Sequence, residues 1–237
     1  MVITQKRLTA ATALTIAVYG MQATLLGALL PELSKTFTPG QSGTLASVQS
    51  VGLIVASLLT GPVLDRAGRK AGAVGGLGLV VVALTLLSGA GTYGALVLIM
   101  CLLGLGGGVI ATATNTLAAD LGGTRQASMM NLLNVFFGLG GMVTPALAAF
   151  LDRAALCGVV LALALGTIAL YAGTPVARPE GARERNMPEI RRFLSRPLFP
   201  LLCCFLFLYV AAELGVWNWM AAYWPGRGVS KAVALRT

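Results

Sequence analysis

Histidine is missing altogether from this chain of 237 residues, and with it the commonest general base and metal ligand. Charge is scarce as well: 8 acidic and 17 basic residues make up 11% of the chain, against about 25% in soluble domains. A domain with so little charge could not cover its own surface in water, which argues against a soluble enzyme. The four cysteines, Cys101, Cys157, Cys203 and Cys204, sit inside apolar runs without metal-ligand spacing. They read as small membrane-core residues and carry no information about redox compartment. No nucleophile–base pair, metal set or phosphate cradle can be assembled from what remains, so neither a cofactor nor a metal is expected. What the chain does have is apolar surface. The residues AVILMFWYC account for 57% of it, glycine for 30 positions, and the mean hydropathy is +0.83. The expectation is an all-α membrane protein that crosses the bilayer several times.

A bilayer core of about 30 Å needs roughly 20 apolar residues of helix. Seven runs qualify, at about 9–30, 43–64, 71–90, 95–118, 128–150, 155–173 and 199–222. The first is too long for the apolar region of a cleaved signal, about 7–15 residues, and reads as a retained span. Basic residues set the direction. Lys6, Arg7, Arg66, Arg69, Lys70, Arg125 and the arginines of 178–196 fall on one side; Lys35, Arg153, Arg227 and Lys231 fall on the other. This asymmetry predicts a cytoplasmic N-terminus. It also explains the net charge of +9 without any nucleic-acid partner, since basic loops face anionic lipid head groups. The domains predicted are a six-helix bundle over 1–173, a cytoplasmic loop over 174–198 and a seventh helix with a short tail over 199–237. Trp219 and Trp224 suit an outer aromatic belt.

The most specific string is Gly61-Pro62-Val63-Leu64-Asp65-Arg66-Ala67-Gly68-Arg69-Lys70, between the second and third spans. It predicts a tight reversal in which Gly68 supplies a positive φ. Asp65 is expected to bond Arg69 or a helix N-terminus, because an unpaired acid near hydrocarbon is costly. Basic residues obeying the orientation rule would explain Arg66, Arg69 and Lys70, but not the glycines and the acid at these spacings. The string resembles the loop signature of the major facilitator superfamily, G-x-x-x-D-R-x-G-R-K, in which Gly61, Asp65, Arg66, Gly68, Arg69 and Lys70 form a conformational motif.

Leu29-Leu30-Pro31-Glu32-Leu33, Gly104-Leu105-Gly106-Gly107-Gly108 with Asn115, and Tyr209-Val210-Ala211-Ala212-Glu213 with Trp217 look most similar to the fucose/galactose permease and sodium-dependent glucose transporter branch. One departure stands out. Where that branch carries a membrane glutamate in the fourth span, this chain has Ala111, so its proton-coupling acid is not carried over. The resemblance implies a twelve-helix fold of which this chain holds the first bundle and one further helix, a truncated form. The internal echo Leu64-Asp65-Arg66-Ala67 and Leu151-Asp152-Arg153-Ala154 suits inverted three-helix repeats. Gly72…Gly76 and Gly104…Gly108 suit close helix packing.

Within the spans, Glu213 is the only interior carboxylate. An acid at mid-helix costs about 2.5–3.5 kcal/mol on insertion scales, which marks it as a functional candidate. Tyr209, Glu213 and Trp217 recur every four residues on one helical face and offer a hydroxyl, an acid and an indole to a hydroxylated ligand. Gln22, with Tyr19 one turn before it, is the counterpart expected on the first span, and interhelical bonding is its alternative. Asn115, Asn131 and Asn134 fall at similar depth and either reach the ligand or bond one another. Gln49 is read as packing.

Together these observations point to a secondary transporter in the cell membrane for a sugar or similar small polar solute, with H+ or Na+ coupling open. Transport would need the other half of the fold or a partner chain. The alternatives are a truncated fragment that carries nothing, an exporter of drugs or metabolites, and a seven-helix receptor. The last is disfavoured by the cytoplasmic N-terminus and by the lack of a lysine in the seventh span to hold a retinal.

Overall fold

A computed structural model describes residues 2–174, 192 and 194–223, with backbone alone for 2–4, 214, 217, 218 and 220–223. Most of the expected 174–198 loop, Trp224 with the tail beyond it, and the Trp217 side chain lie outside the described residues. Seven long helices occur among those described. They are α1 Val2–Leu33, α2 Pro39–Ala67, α3 Arg69–Gly89, α4 Tyr93–Gly122, α5 Gln126–Ala148, α6 Arg153–Ala172 and α7 Leu198–Tyr223.

Local chemistry sets their ends. Thr38 and Gln41 form a capping box at the start of α2. The Gln41 N–H donates to Thr38 Oγ1 at 3.3 Å, the Thr38 N–H donates to Gln41 Oε1 at 2.9 Å, and Pro39 opens the first turn. Asp152 caps α6 by accepting from the Ala155 N–H at 2.8 Å. Gly68, at φ +88°, reverses the chain between α2 and α3 as expected, in a region closed to residues with a Cβ. The helices outrun the apolar stretches at some ends: α1 begins at Val2 rather than near 9, and α4 continues to Gly122 rather than stopping near 118. A helix that leaves hydrocarbon keeps its backbone groups paired by continuing through the interface.

The runs Gln5–Leu33, Pro39–Ala67, Arg69–Gly89, Tyr93–Ala148 (which holds both α4 and α5) and Arg153–Ala172 are long and apolar enough to cross a membrane. Leu198–Glu213 of α7 is apolar but shorter. The protein is a multi-pass membrane protein. Helix α1 is its axis: 83% of the apolar window of α1 is buried, against 22% for α2. It packs against α4, α5, α6 and α7, while α2 lies on α4, and α3 on α4 and α6. Cys157 is a core residue as read from the sequence; Cys203 and Cys204 are exposed on α7, which presents its apolar side chains outward.

Two seams are close enough to need glycine on both sides. Between α2 and α4, a Cβ at Gly104 would strike the Gln49 carbonyl, and one at Gly52 would lie 2.8 Å from the Cys101 carbonyl oxygen. Between α1 and α5, a Cβ at Gly20 would strike the Phe137 carbonyl, and one at Gly140 the Ala17 carbonyl. Exchanging α1–α3 for α4–α6 maps one seam onto the other, Gly20 onto Gly104 and Gly140 onto Gly52. This is the geometry of inverted repeats. Gly72 and Gly76, like Gly104 and Gly108, also sit at helix contacts.

Candidate functional site

The axial helix α1, with α2, α5 and α7, lines a cavity of about 220 Å³. Helix α1 contributes Tyr19, Gln22 and Ala23; α2 contributes Ala46, Gln49, Ser50 and Leu53; α5 gives Phe137, and α7 gives Val210 and Glu213. Apart from Ala46, each comes from the middle third of its helix. Tyr19 and Phe137 form an aromatic wall, with ring centroids 5.2 Å apart and planes tilted by 37°. Gln22 is 1% exposed. Its Nε2 donates to the Leu103 carbonyl at 2.7 Å, whereas its Oε1 has no hydrogen-bond partner among the described residues.

The structure brings some of the sequence candidates together and separates others. Gln22 and Glu213 meet at the cavity, Glu213 half-buried. Tyr209 is 57% exposed and does not line it; Val210 takes the place beside Glu213. Asn115 and Asn134 are exposed and lie outside the cavity. The bonding expected among Asn115, Asn131 and Asn134 does not occur among the described residues, since all three are exposed instead of facing one another. Gln49, read as packing from the sequence, does both jobs: its backbone seats Gly104 and its residue lines the cavity. Phe137 and Ser50 gave no sequence signal. The four-residue string Tyr19 to Gln22 was the usable one.

The conformational motif departs from expectation at one point. Arg69 pairs with Asp120, not with Asp65. Asp65 is exposed in the last turn of α2 and has no ion pair among the described residues. The reason is electrostatic. Arg69 opens α3, where a cation opposes the helix dipole, and Asp120 lies in the last turn of α4, where an anion opposes it; pairing offsets both. Lys70 Nζ donates to the Thr174 carbonyl, just past α6, at 2.7 Å. Gly61 meets nothing within 4 Å of a built Cβ, and Arg66 is exposed.

At the opposite end, Arg153 opens α6. Its Nη1 donates to the Ala90 carbonyl at 2.9 Å, and its Nε lies 3.8 Å from a carboxylate oxygen of Glu32, in the last turn of α1. The glycine seams and the two helix-end clamps give a helical membrane bundle whose two three-helix halves pack alike beside a cavity.

A sequence profile described as Major Facilitator Superfamily matches residues 12–235. The chain belongs to the major facilitator superfamily. Among solved structures that match, the crystal structure of a D-xylose-proton symporter superposes with a TM-score of 0.75 at 14% identity. That match covers 97% of this chain and 64% of the symporter, so the chain spans about two thirds of its length. No curated protein matches the sequence.

Proposed function

We propose that this chain works in a secondary transporter for a sugar or similar small polar solute, by alternating access and without covalent chemistry. The observation that carries the proposal is the cavity at mid-helix depth, where Gln22, Gln49 and Glu213 converge beside the Tyr19–Phe137 wall. Hydrogen-bonding side chains with an aromatic face suit a hydroxylated ligand. The likeness to a D-xylose-proton symporter fits this reading. Glu213 is the group assigned to coupling. A carboxylate can carry a proton or ligate a sodium ion, so either coupling ion suits this position. Alternating access moves one bundle against another, so we further propose that a second six-helix unit, on the same polypeptide or a partner, completes the pathway. The basic residues support a cell-membrane orientation with a cytoplasmic N-terminus. A membrane-impermeant thiol reagent applied outside should then reach a cysteine at Thr36 and miss one at Ser195; the reverse pattern refutes it.

The test is Glu213→Gln in proteoliposomes carrying the chain together with the second six-helix unit. It keeps shape and hydrogen-bonding capacity but cannot titrate. Gradient-driven accumulation of D-xylose should fall at least tenfold while exchange across the membrane persists. Normal accumulation under both proton and sodium gradients would remove Glu213 from coupling. Ala23, Ala46, Leu53, Phe137 and Val210 leave much of the wall apolar, which favours export of a drug or metabolite as the second reading. Uptake of a lipophilic cation in place of any sugar would select it.

A further inference from the structure

We propose that Gln22 sets the chemical polarity of the cavity: its Oε1 accepts a hydrogen bond from a hydroxyl of a neutral solute, and solutes offering a carboxylate at that point are rejected. The inference rests on the small-polar-solute reading above and narrows it to neutral polyols.

An amide side chain can ordinarily turn either its donor or its acceptor towards a ligand. Gln22 cannot. Its neighbour across the seam is the Leu103 carbonyl, which accepts only, so the amide nitrogen must face it, and it does at 2.7 Å. The niche that holds the amide exists because residue 107 is glycine. A Cβ there would lie 2.8 Å from Gln22 Nε2 and 2.9 Å from Tyr19 Cε2. With the nitrogen committed to α4, the oxygen is the end left over. It is buried, out of reach of bulk solvent, and has no partner among the described residues. Leaving such an acceptor unpaired is unfavourable, and a donor brought in by a ligand relieves it.

The other groups at the wall point to the same class. Glu213 accepts hydrogen bonds when ionised, Gln49 and Ser50 can accept or donate, and no basic side chain lines the cavity among the described residues. A carboxylate or phosphate would meet the fixed Gln22 acceptor and no basic side chain among the described residues. A hydroxyl that reaches Gln22 Oε1 meets an acceptor with no other partner among the described residues.

A purely structural role for Gln22, as glue between α1 and α4, makes a different prediction, because glue lost is stability lost. The Leu103 carbonyl keeps its own helical partner whether or not Gln22 is present, and leucine at 22 would remove an unpaired buried acceptor. Gln22→Leu should therefore leave the melting temperature of the unliganded protein unchanged or raised. The probes are D-xylose, its single-deoxy analogues and xylonate, titrated against the full chain in lipid nanodiscs. In the parent protein one deoxy analogue should bind about tenfold more weakly than D-xylose, and xylonate should not bind. In Gln22→Leu, D-xylose should itself bind about tenfold more weakly and that deoxy penalty should disappear. Gly107→Ala, which keeps the amide but crowds its niche, should weaken D-xylose in the same direction.

A lowered melting temperature with the deoxy pattern unchanged would overturn the proposal and leave the sugar reading standing. Xylonate binding as tightly as D-xylose would overturn it as well. If no neutral polyol binds the parent protein, the sugar reading fails first, and the hydroxyl assignment falls with it.

Discussion

The two ends of the six-helix unit are held by the same device, built with different residues. At the α2–α3 end, the start of α3 ties down the finish of two other helices: Arg69 takes Asp120 of α4, and Lys70 takes the Thr174 carbonyl beyond α6. At the α5–α6 end, the start of α6 ties down the finish of α1 and α3, through Glu32 and the Ala90 carbonyl, and a single Arg153 does both. Exchanging the two three-helix repeats carries one arrangement onto the other. Each cation opens a helix and each carboxylate closes one, where its charge opposes its own helix dipole, while the two carbonyls lie just past helix ends, where a cation is favoured. The difference is economy of parts. Two cations with separate partners share the work at one end, and one guanidinium serves two partners at the other.

The largest effect should come from the seams that align these ends. Replacing Gly104 or Gly140 with Val forces a branched side chain where even a Cβ would strike a carbonyl. Overpacking of this kind costs about 3 kcal/mol or more when the backbone has to separate. Both variants should lose folded protein in detergent, by similar amounts if the repeats are equivalent. A loss confined to one seam would break the comparison.

A smaller effect is expected at the clamps. Arg153→Met removes two interactions from a side chain 23% exposed, while Arg69→Met removes one from a side chain 31% exposed. Exposed ion pairs contribute about 0.2–1 kcal/mol, and a charge-assisted bond to a carbonyl adds about 1 kcal/mol or more. Thermal melts should therefore rank Arg153→Met below Arg69→Met by a few degrees. The Arg69→Met, Lys70→Met double variant should then close the gap, because only together do those two cations equal Arg153. An unclosed gap would mean the ends are not equivalent.

These relations explain what could be read from the sequence. The spans were legible because hydrocarbon imposes one length and one composition on every crossing helix. The reversal at Gly68 was legible because a positive φ selects glycine. The superfamily followed from a contiguous string. Arg69's partner was not legible. Asp65 is near in sequence, but Asp120 is reached only through packing of α3 on α4. The echo of Leu64-Asp65-Arg66-Ala67 with Leu151-Asp152-Arg153-Ala154 pairs the same three-helix units as the glycine seams do, but in a different register. It aligned Arg66 with Arg153, whereas the structure aligns Arg69 with it, and Asp152 caps a helix that Asp65 has no counterpart in. In the cavity, Gln22 and Glu213 stood out as polar residues in apolar runs. Gln49 stood out equally but was assigned to packing, because nothing local distinguishes a glutamine that lines a cavity from one that fills a seam. Tyr209 was placed by helical periodicity, which names a face but not what the face meets.

The smallest effect on stability should be at Asp65. It is exposed, unpaired among the described residues, and lies one turn before Arg69 without touching it. Substitutions at such positions usually stay within about 0.5 kcal/mol, so Asp65→Asn should melt with the parent. The acid of the sequence echo, Asp152, behaves differently: Asp152→Asn exchanges a charged cap of α6 for a neutral one, and Asp152→Ala removes the cap at a cost of about 1 kcal/mol. Asp65 nevertheless occupies the acidic position of the superfamily's loop signature, and an acid with nothing to hold within its own bundle is free to hold something outside it. We therefore expect Asp65→Asn, in the transporter completed by the second six-helix unit, to slow transport at least tenfold while leaving equilibrium solute binding within twofold. That split would assign Asp65 to a contact made by the second bundle and broken once per cycle. If binding falls in step with rate, or if the melt shifts by several degrees, Asp65 acts within the six-helix unit after all, and the two ends differ in kind as well as in parts.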